Sequence, residues 1–156
     1  MPKRTIAALV LVLFIVEAAY AGLGSDKALY VGGTVNSIKD RTEGKIRTDD
    51  EKVMVFDYGK DGKLSVPYDQ INSLEYGQKA GRRLGLAIAI NPLFIFSKKR
   101  RHFLTVGFLN ETKQQQAAVF ELGKGAIEPT LKALEAKTGK KVDYEDSEAR
   151  KAAGGK

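Results

Sequence analysis

Residues 102–139 read HFLTVGFLNETKQQQAAVFELGKGAIEPTLKALEAKTG, and within them the hydrophobic period changes once. Up to Leu122 the period is two. Leu104, Val106 and Phe108 share one side of a strand over 102–110, and Ala118, Phe120 and Leu122 share one side of a strand over 114–122. Glu111-Thr112-Lys113 turns the chain between them. From Ala126 to Thr138 the period is helical, with Ile127, Leu131 and Leu134 at i, i+4 and i+7. Pro129 sits near the start, where a missing N–H costs little, and Gly139 is placed to end the helix. One amphipathic helix cannot bury its stripe alone, so it must cap a sheet.

The chain before this stretch is read as short strands and turns. Ala28 to Ile38 is rich in β-branched and aromatic residues, and its Gly32-Gly33 pair signals a bend or a close backbone approach. Lys39 to Gly44 is a charged turn, Lys45 to Thr48 a short return strand, and Asp49-Asp50-Glu51 another turn. Lys52 to Tyr58 is a strand with Met54, Phe56 and Tyr58 on one face and Val53 and Val55 on the other. Gly59 to Gly62 has hairpin composition. Lys63 to Val66 returns, ended by Pro67, which cannot donate to a ladder. After a turn at Tyr68-Asp69-Gln70, Ile71 to Tyr76 resumes strand character. Seven strands joined mostly by short turns predict a mainly β fold with one C-terminal α-helix, a small barrel or sandwich capped by that helix. Lys140 to Asp146, with Val142 and Tyr144, adds a short extended piece. Ser147 to Lys156 is small and charged and is expected to be disordered.

Composition narrows the chemistry. With no cysteine, the chain has no disulfide, no thiolate zinc site, no thiol nucleophile and no lipid-modified cysteine. His102 is its one histidine. The formal charge of +7 favours acidic partners. Pro2-Lys3-Arg4, the apolar run Ile6 to Val16 and Ala19-Tyr20-Ala21 have the layout of a secretory signal peptide over residues 1–21, cleaved before Gly22. The alternative is an uncleaved N-terminal helix that anchors the chain in a membrane. Either route, exported to a periplasm or medium or held at a membrane, argues against nucleic acid as the partner of that charge.

A family resemblance rests on strand order and on one segment. Val66-Pro67-Tyr68-Asp69-Gln70-Ile71 followed by Leu74-Glu75-Tyr76 resembles the IPY-x-x-I-x-x-hydrophobic segment of GRAM and bacterial PH-type domains. Phe120-Glu121-Leu122 running into the helix is similar too. The resemblance spans roughly Ala28 to Gly139. It implies the pleckstrin-homology-like superfold, a seven-stranded bent barrel whose open end the helix plugs, over a domain of residues 22–146. Phosphoinositide-binding members carry a basic cluster on the first hairpin. Here Lys39-Asp40-Arg41-Thr42-Glu43 largely cancels its own charge, so the resemblance carries over no phosphoinositide pocket.

No catalytic constellation emerges. Asp57 to Gly62 has the start of a calcium loop but lacks its third early oxygen ligand, and Tyr68 stands where the bidentate acid belongs. Asp49-Asp50-Glu51 reads as a solvated turn. No glycine-rich phosphate motif precedes a helix, and no elbow motif marks Ser65 or Ser97 as a nucleophile for His102. Asn110-Glu111-Thr112 is a glycosylation sequon only in a eukaryotic secretory pathway.

The stretch that no turn explains is the insert 79–102, KAGRRLGLAIAINPLFIFSKKRRH. It is far longer than a hairpin connection. Lys79, Arg82 and Arg83 lead in. Leu84, Leu86, Ile88, Leu93, Phe94 and Phe96 are among its large apolar residues, Asn91-Pro92 breaks it, and Lys98, Lys99, Arg100 and Arg101 close it. An apolar segment must be buried somewhere. Either it covers the barrel, or it dips into a bilayer with its cations on headgroups. The expected function is an exported, non-enzymatic PH-like domain, with no metal or cofactor, that associates peripherally with an anionic lipid surface or a membrane protein through the insert. The alternative is an interaction module that binds a peptide at a sheet edge, with the insert packed on the barrel. N-terminal sequencing of the exported protein is expected to begin at Gly22. A chain beginning at Met1 or Pro2 in the membrane fraction would overturn cleavage in favour of the anchor.

Overall fold

The computed structural model describes residues 27–79, 88–90 and 101–155. The signal-peptide reading of residues 1–21 lies outside them. Among the described residues no helix is long and apolar enough to cross a membrane.

The chain runs through β1 (Ala28–Gly33), β2 (Thr42–Arg47), β3 (Val53–Asp57), β4 (Lys63–Pro67), β5 (Ile71–Gly77), β6 (Ala89–Ile90), β7 (Phe103–Leu109), β8 (Gln115–Leu122), helix α1 (Lys124–Thr138), β9 (Val142–Tyr144) and helix α2 (Ser147–Ala152). Eight of the strands form one mixed sheet in the order β4-β3-β2-β1-β8-β7-β5-β9, and β6 pairs with β1 off this path. The fold is mainly β with a C-terminal helix, as the periods predict. Among the described residues β4 and β9 are unpaired with each other, so the sheet is open where a closed barrel was one expectation.

Two antiparallel meanders, β1 to β4 and β5-β7-β8, are joined where β1 pairs with β8. That junction carries the predicted bend. The register slips between Tyr30 and Gly32, and Gly33 takes a φ of +143°. A Cβ on Gly33 would stand 2.3 Å from the Ala117 carbonyl oxygen, so only glycine allows this approach. The same oxygen accepts the Thr34 N–H at 2.9 Å.

Alternation places Met54, Phe56, Leu104, Val106, Phe108, Ala118, Phe120 and Leu122 in one core. Phe120 sits at its centre, edge-on to Tyr30 with centroids 5.8 Å apart and tilted against Phe56 at 4.9 Å. Burial pushes the Tyr30 hydroxyl up to about 12. α1 adds buried Leu131 and Leu134, with Ile127 partly buried against the same core. The helix begins two residues before the predicted start, at Lys124 after Gly123, so Pro129 lies inside it and not in its first turn. It remains tolerable because both Pro129 and Gly125, whose carbonyl loses its donor, are exposed. Gly139 ends the helix in the left-handed conformation, its N–H bonded to the Glu135 oxygen at 3.0 Å.

Two local readings are corrected, and the short extended piece expected within Lys140 to Asp146 forms. Thr42 to Gly44, read as turn, belong to β2, because pairing with Ala28 to Tyr30 recruits them into the ladder. The extended piece at Val142–Tyr144 is a parallel neighbour of β5, pairing with Leu74, Glu75 and Tyr76. The segment 147–156, expected to be disordered, is helical over Ser147–Ala152. Asp146 caps that helix by accepting the Ala149 N–H at 2.7 Å, and Ala149 and Ala153 are buried in the core. Small residues that look featureless in sequence are what let this helix lie close to the sheet.

Phe120→Ala is expected to cost about 3–5 kcal/mol in chemical denaturation. Leu134→Asp places a charge under the helix and is expected to abolish cooperative melting. A melting curve like that of the natural protein would remove α1 from the core.

Candidate functional site

The segment read as an insert is bounded by one register pair, Gly77 of β5 opposite Phe103 of β7. Of its predicted contact residues, Lys79, Ile88 and Arg101 are described. Arg82, Arg83, Leu84, Leu86, Leu93, Phe94, Phe96, Lys98, Lys99 and Arg100 lie outside the described residues.

On the departing side, Glu145 follows β9 and lies across the root. Its Oε2 accepts the N–H groups of Gln78 at 2.5 Å and Lys79 at 3.0 Å. Its other oxygen is 3.7 Å from the Lys79 ammonium, whose side chain is 75% exposed and therefore still free to meet a surface. Glu145 is held in turn by its own N–H, which donates to the Tyr76 oxygen at 3.0 Å. On the returning side, Arg101 donates to Glu121 of β8 at 2.5 Å. The Arg101 guanidinium, expected at a membrane or partner contact, thus pairs with an acid of the sheet.

The apolar middle has a foothold as well. β6 pairs with β1, Ile90 opposite Gly32 and Ala89 opposite Gly33. Ile88 is half-buried against a second, smaller cluster of Val31, Phe103 and Val119. These residues occupy the face of β1, β7 and β8 opposite the main core. Val31 and Val119 are fully buried and Phe103 nearly so, with Thr105 and Ala117 buried beside them. Ile88, one of the residues expected at a membrane or partner, is half-buried against this cluster. The sequence did carry a signal for this second buried face. Val31, Phe103 and Val119 stand in the phase where a one-sided strand would be polar.

Aromatic side chains surround the root. The His102 ring lies nearly parallel to Tyr76, with centroids 5.7 Å apart, and its Nε2 is buried with no hydrogen-bond partner among the described residues. Tyr144 meets Tyr76 edge-on at 6.3 Å, and Arg150 lies 5.3 Å over the Tyr144 ring. Burial raises Tyr76 to about 12, so its hydroxyl stays neutral at any physiological pH.

The other sequence candidates resolve into turn chemistry. Asp57 accepts the Gly59 N–H at 2.9 Å and so closes the turn that resembled a calcium loop. Asp50 accepts the N–H groups of Lys52 and Val53, which hold its carboxyl below the usual range. The Arg47 guanidinium does the same for Asp49. Among the described residues no group of acids and histidine is placed to hold a metal. An open cleft of about 650 Å³ lies over β2 and β3, lined by Lys27, Glu43, Lys45, Arg47, Asp57 and Tyr58. Lys27 pairs with Glu43 at 3.2 Å and Arg47 approaches Asp57 at 3.9 Å, so its charges offset one another. No family model and no curated protein matches this chain.

Ile88→Asp is expected to lower stability by more than about 2 kcal/mol, because the carboxylate enters the small cluster without a partner. Ile88→Leu is expected to melt close to the natural chain. Equal melting temperatures for the two variants would return the Ile88 side chain to solvent.

Proposed function

We propose that this chain is an exported, non-enzymatic domain of the PH-like kind that associates peripherally with a membrane, or with a membrane-bound partner, through the insert 79–102. The observation that carries the reading is the departure and return of a long apolar and basic segment at one register pair. Among the described residues the main core takes no side chain from that segment. β5 and β7 pair directly from the two ends of the insert onward, which is what an insert serving a surface requires. The two meanders and the helix that enters the core support the PH-like resemblance. Ile88 and Arg101 belong to the foothold, so the contact surface narrows to Lys79, Arg82, Arg83, Leu84, Leu86, Leu93, Phe94, Phe96, Lys98, Lys99 and Arg100.

A second reading, a peptide added at a sheet edge, is favoured by β4. Among the described residues it ends the sheet. Bonds from Tyr58 N–H to the Gly62 oxygen and from Tyr68 N–H to the Lys52 oxygen set the phase of its pairing with β3. That phase turns the backbone of Lys63, Ser65 and Pro67 outward. Pro67 has no N–H, so the edge offers donors only at Lys63 and Ser65. Such a short edge suits a brief strand addition at most.

Co-sedimentation of residues 22–156 with vesicles tests the first reading. Apolar insertion contributes about 25 cal/mol per Å² removed from water. Each free cation adds up to roughly 1 kcal/mol on an anionic surface, screened by salt. Binding to anionic vesicles is expected, weakened but not lost at high salt. Leu93→Asp with Phe96→Asp is expected to abolish it with little change in melting temperature. A stable protein with no affinity for neutral or anionic vesicles would overturn the lipid reading. Partner binding that survives removal of the insert would move the function to the β4 edge.

A further inference from the structure

We propose that Glu145 is a latch, by which the C-terminal segment fixes the direction in which the insert leaves the sheet. At Gly77 the pairing of β5 with β7 ends, so the N–H groups of Gln78 and Lys79 lose their strand partners. A single carboxylate, Glu145 Oε2, accepts both. Its side chain is 14% exposed, so these charge-assisted bonds are little weakened by water. Residues 78 and 145 are far apart in the chain, so the contact exists only because β9 runs parallel to β5. Register brings Tyr144 opposite Tyr76, and Glu145 one step beyond it.

Gly77 is built for this contact. A Cβ there would lie 2.4 Å from the Glu145 Cβ and 2.6 Å from its Oε2. The φ of Gly77 is not of the kind that demands glycine. The space over it is what Glu145 needs. The latch has its own anchorage, since Asp146 caps α2 immediately after it and Ala149 and Ala153 bury that helix in the core. Arg150 over the Tyr144 ring holds the same segment from the side. Release of this segment would free Gln78 and Lys79, at the root of the insert, while β5 and β7 stayed paired.

Two measurements on full-length mature protein test the latch, the second resting on the proposed membrane function. In Glu145→Ala, amide hydrogen exchange at Gln78 and Lys79 is expected to accelerate at least about tenfold, with amides of β7 and β8 unchanged. Gly77→Ala is expected to accelerate the same two amides by displacing the carboxylate, and Glu145→Gln, which keeps an acceptor, to fall between. Unchanged exchange at Gln78 and Lys79 in Glu145→Ala would overturn the latch. So would acceleration spread evenly over the sheet, which would make Glu145 a general stabiliser. With vesicles of phosphatidylcholine and phosphatidylglycerol, Glu145→Ala is expected to shift the binding midpoint several-fold at an unchanged salt dependence. An unshifted midpoint would remove the latch from membrane binding. A natural protein that never binds vesicles defeats the lipid reading of the proposed function, and the exchange result still decides the latch.

Discussion

Everything in this fold depends on the antiparallel pairing of β1 with β8. Each meander has its own turns and could form locally, but neither closes a core alone. The pairing brings Tyr30 opposite Phe120, and Phe120 in turn meets Phe56 from the other meander. The strand must also bend as it crosses from one meander to the other. Gly32 and Gly33 supply the bend, and the Ala117 carbonyl lies so close to Gly33 that no side chain fits. A hydrophobic core and a backbone constraint therefore coincide in six residues.

The same strand is the foothold of the insert. Where β1 has slipped register, its Gly32 and Gly33 also pair with β6. The face opposite the core is thereby drawn into use, with Ile88 on Val31, Phe103 and Val119. Two carboxylates from elsewhere, Glu145 and Glu121, then fix the two ends of the insert. The chain carries an excess of positive charge, yet at the root it spends acids on positioning. The insert's own described cations divide into one paired with the sheet, Arg101, and one paired with Glu145 but 75% exposed, Lys79.

Sequence patterns reached most of the strands because a period of two is a local property. Met54 and Phe56, Leu104 and Val106, and Phe120 all face inward as read. The misreadings share a cause. Thr42 to Gly44 look like turn residues, and only their pairing with β1 makes them strand. Ala149 and Ala153 carry little hydrophobic signal, and only a sheet surface close enough to receive a methyl group makes them core. Arg101 looks like one more cation in a basic run, and only Glu121 across the ladder from Phe103 gives it a fixed place.

The sequence by itself determined the strand faces, the stripe of α1, its stop at Gly139, and the existence of a long apolar and basic insert. All of these are encoded within a few residues, through side-chain period, backbone freedom or sheer length. Tertiary structure alone decided that Ile88 packs on the second face of the sheet, that β9 runs parallel to β5, and that Glu145 reaches Gln78 and Lys79. The reason is physical. Burial of a face depends on what is laid over it, and two N–H groups at a strand end will accept any acceptor that the fold delivers. Here the delivery is made by register with a strand more than sixty residues later in the chain.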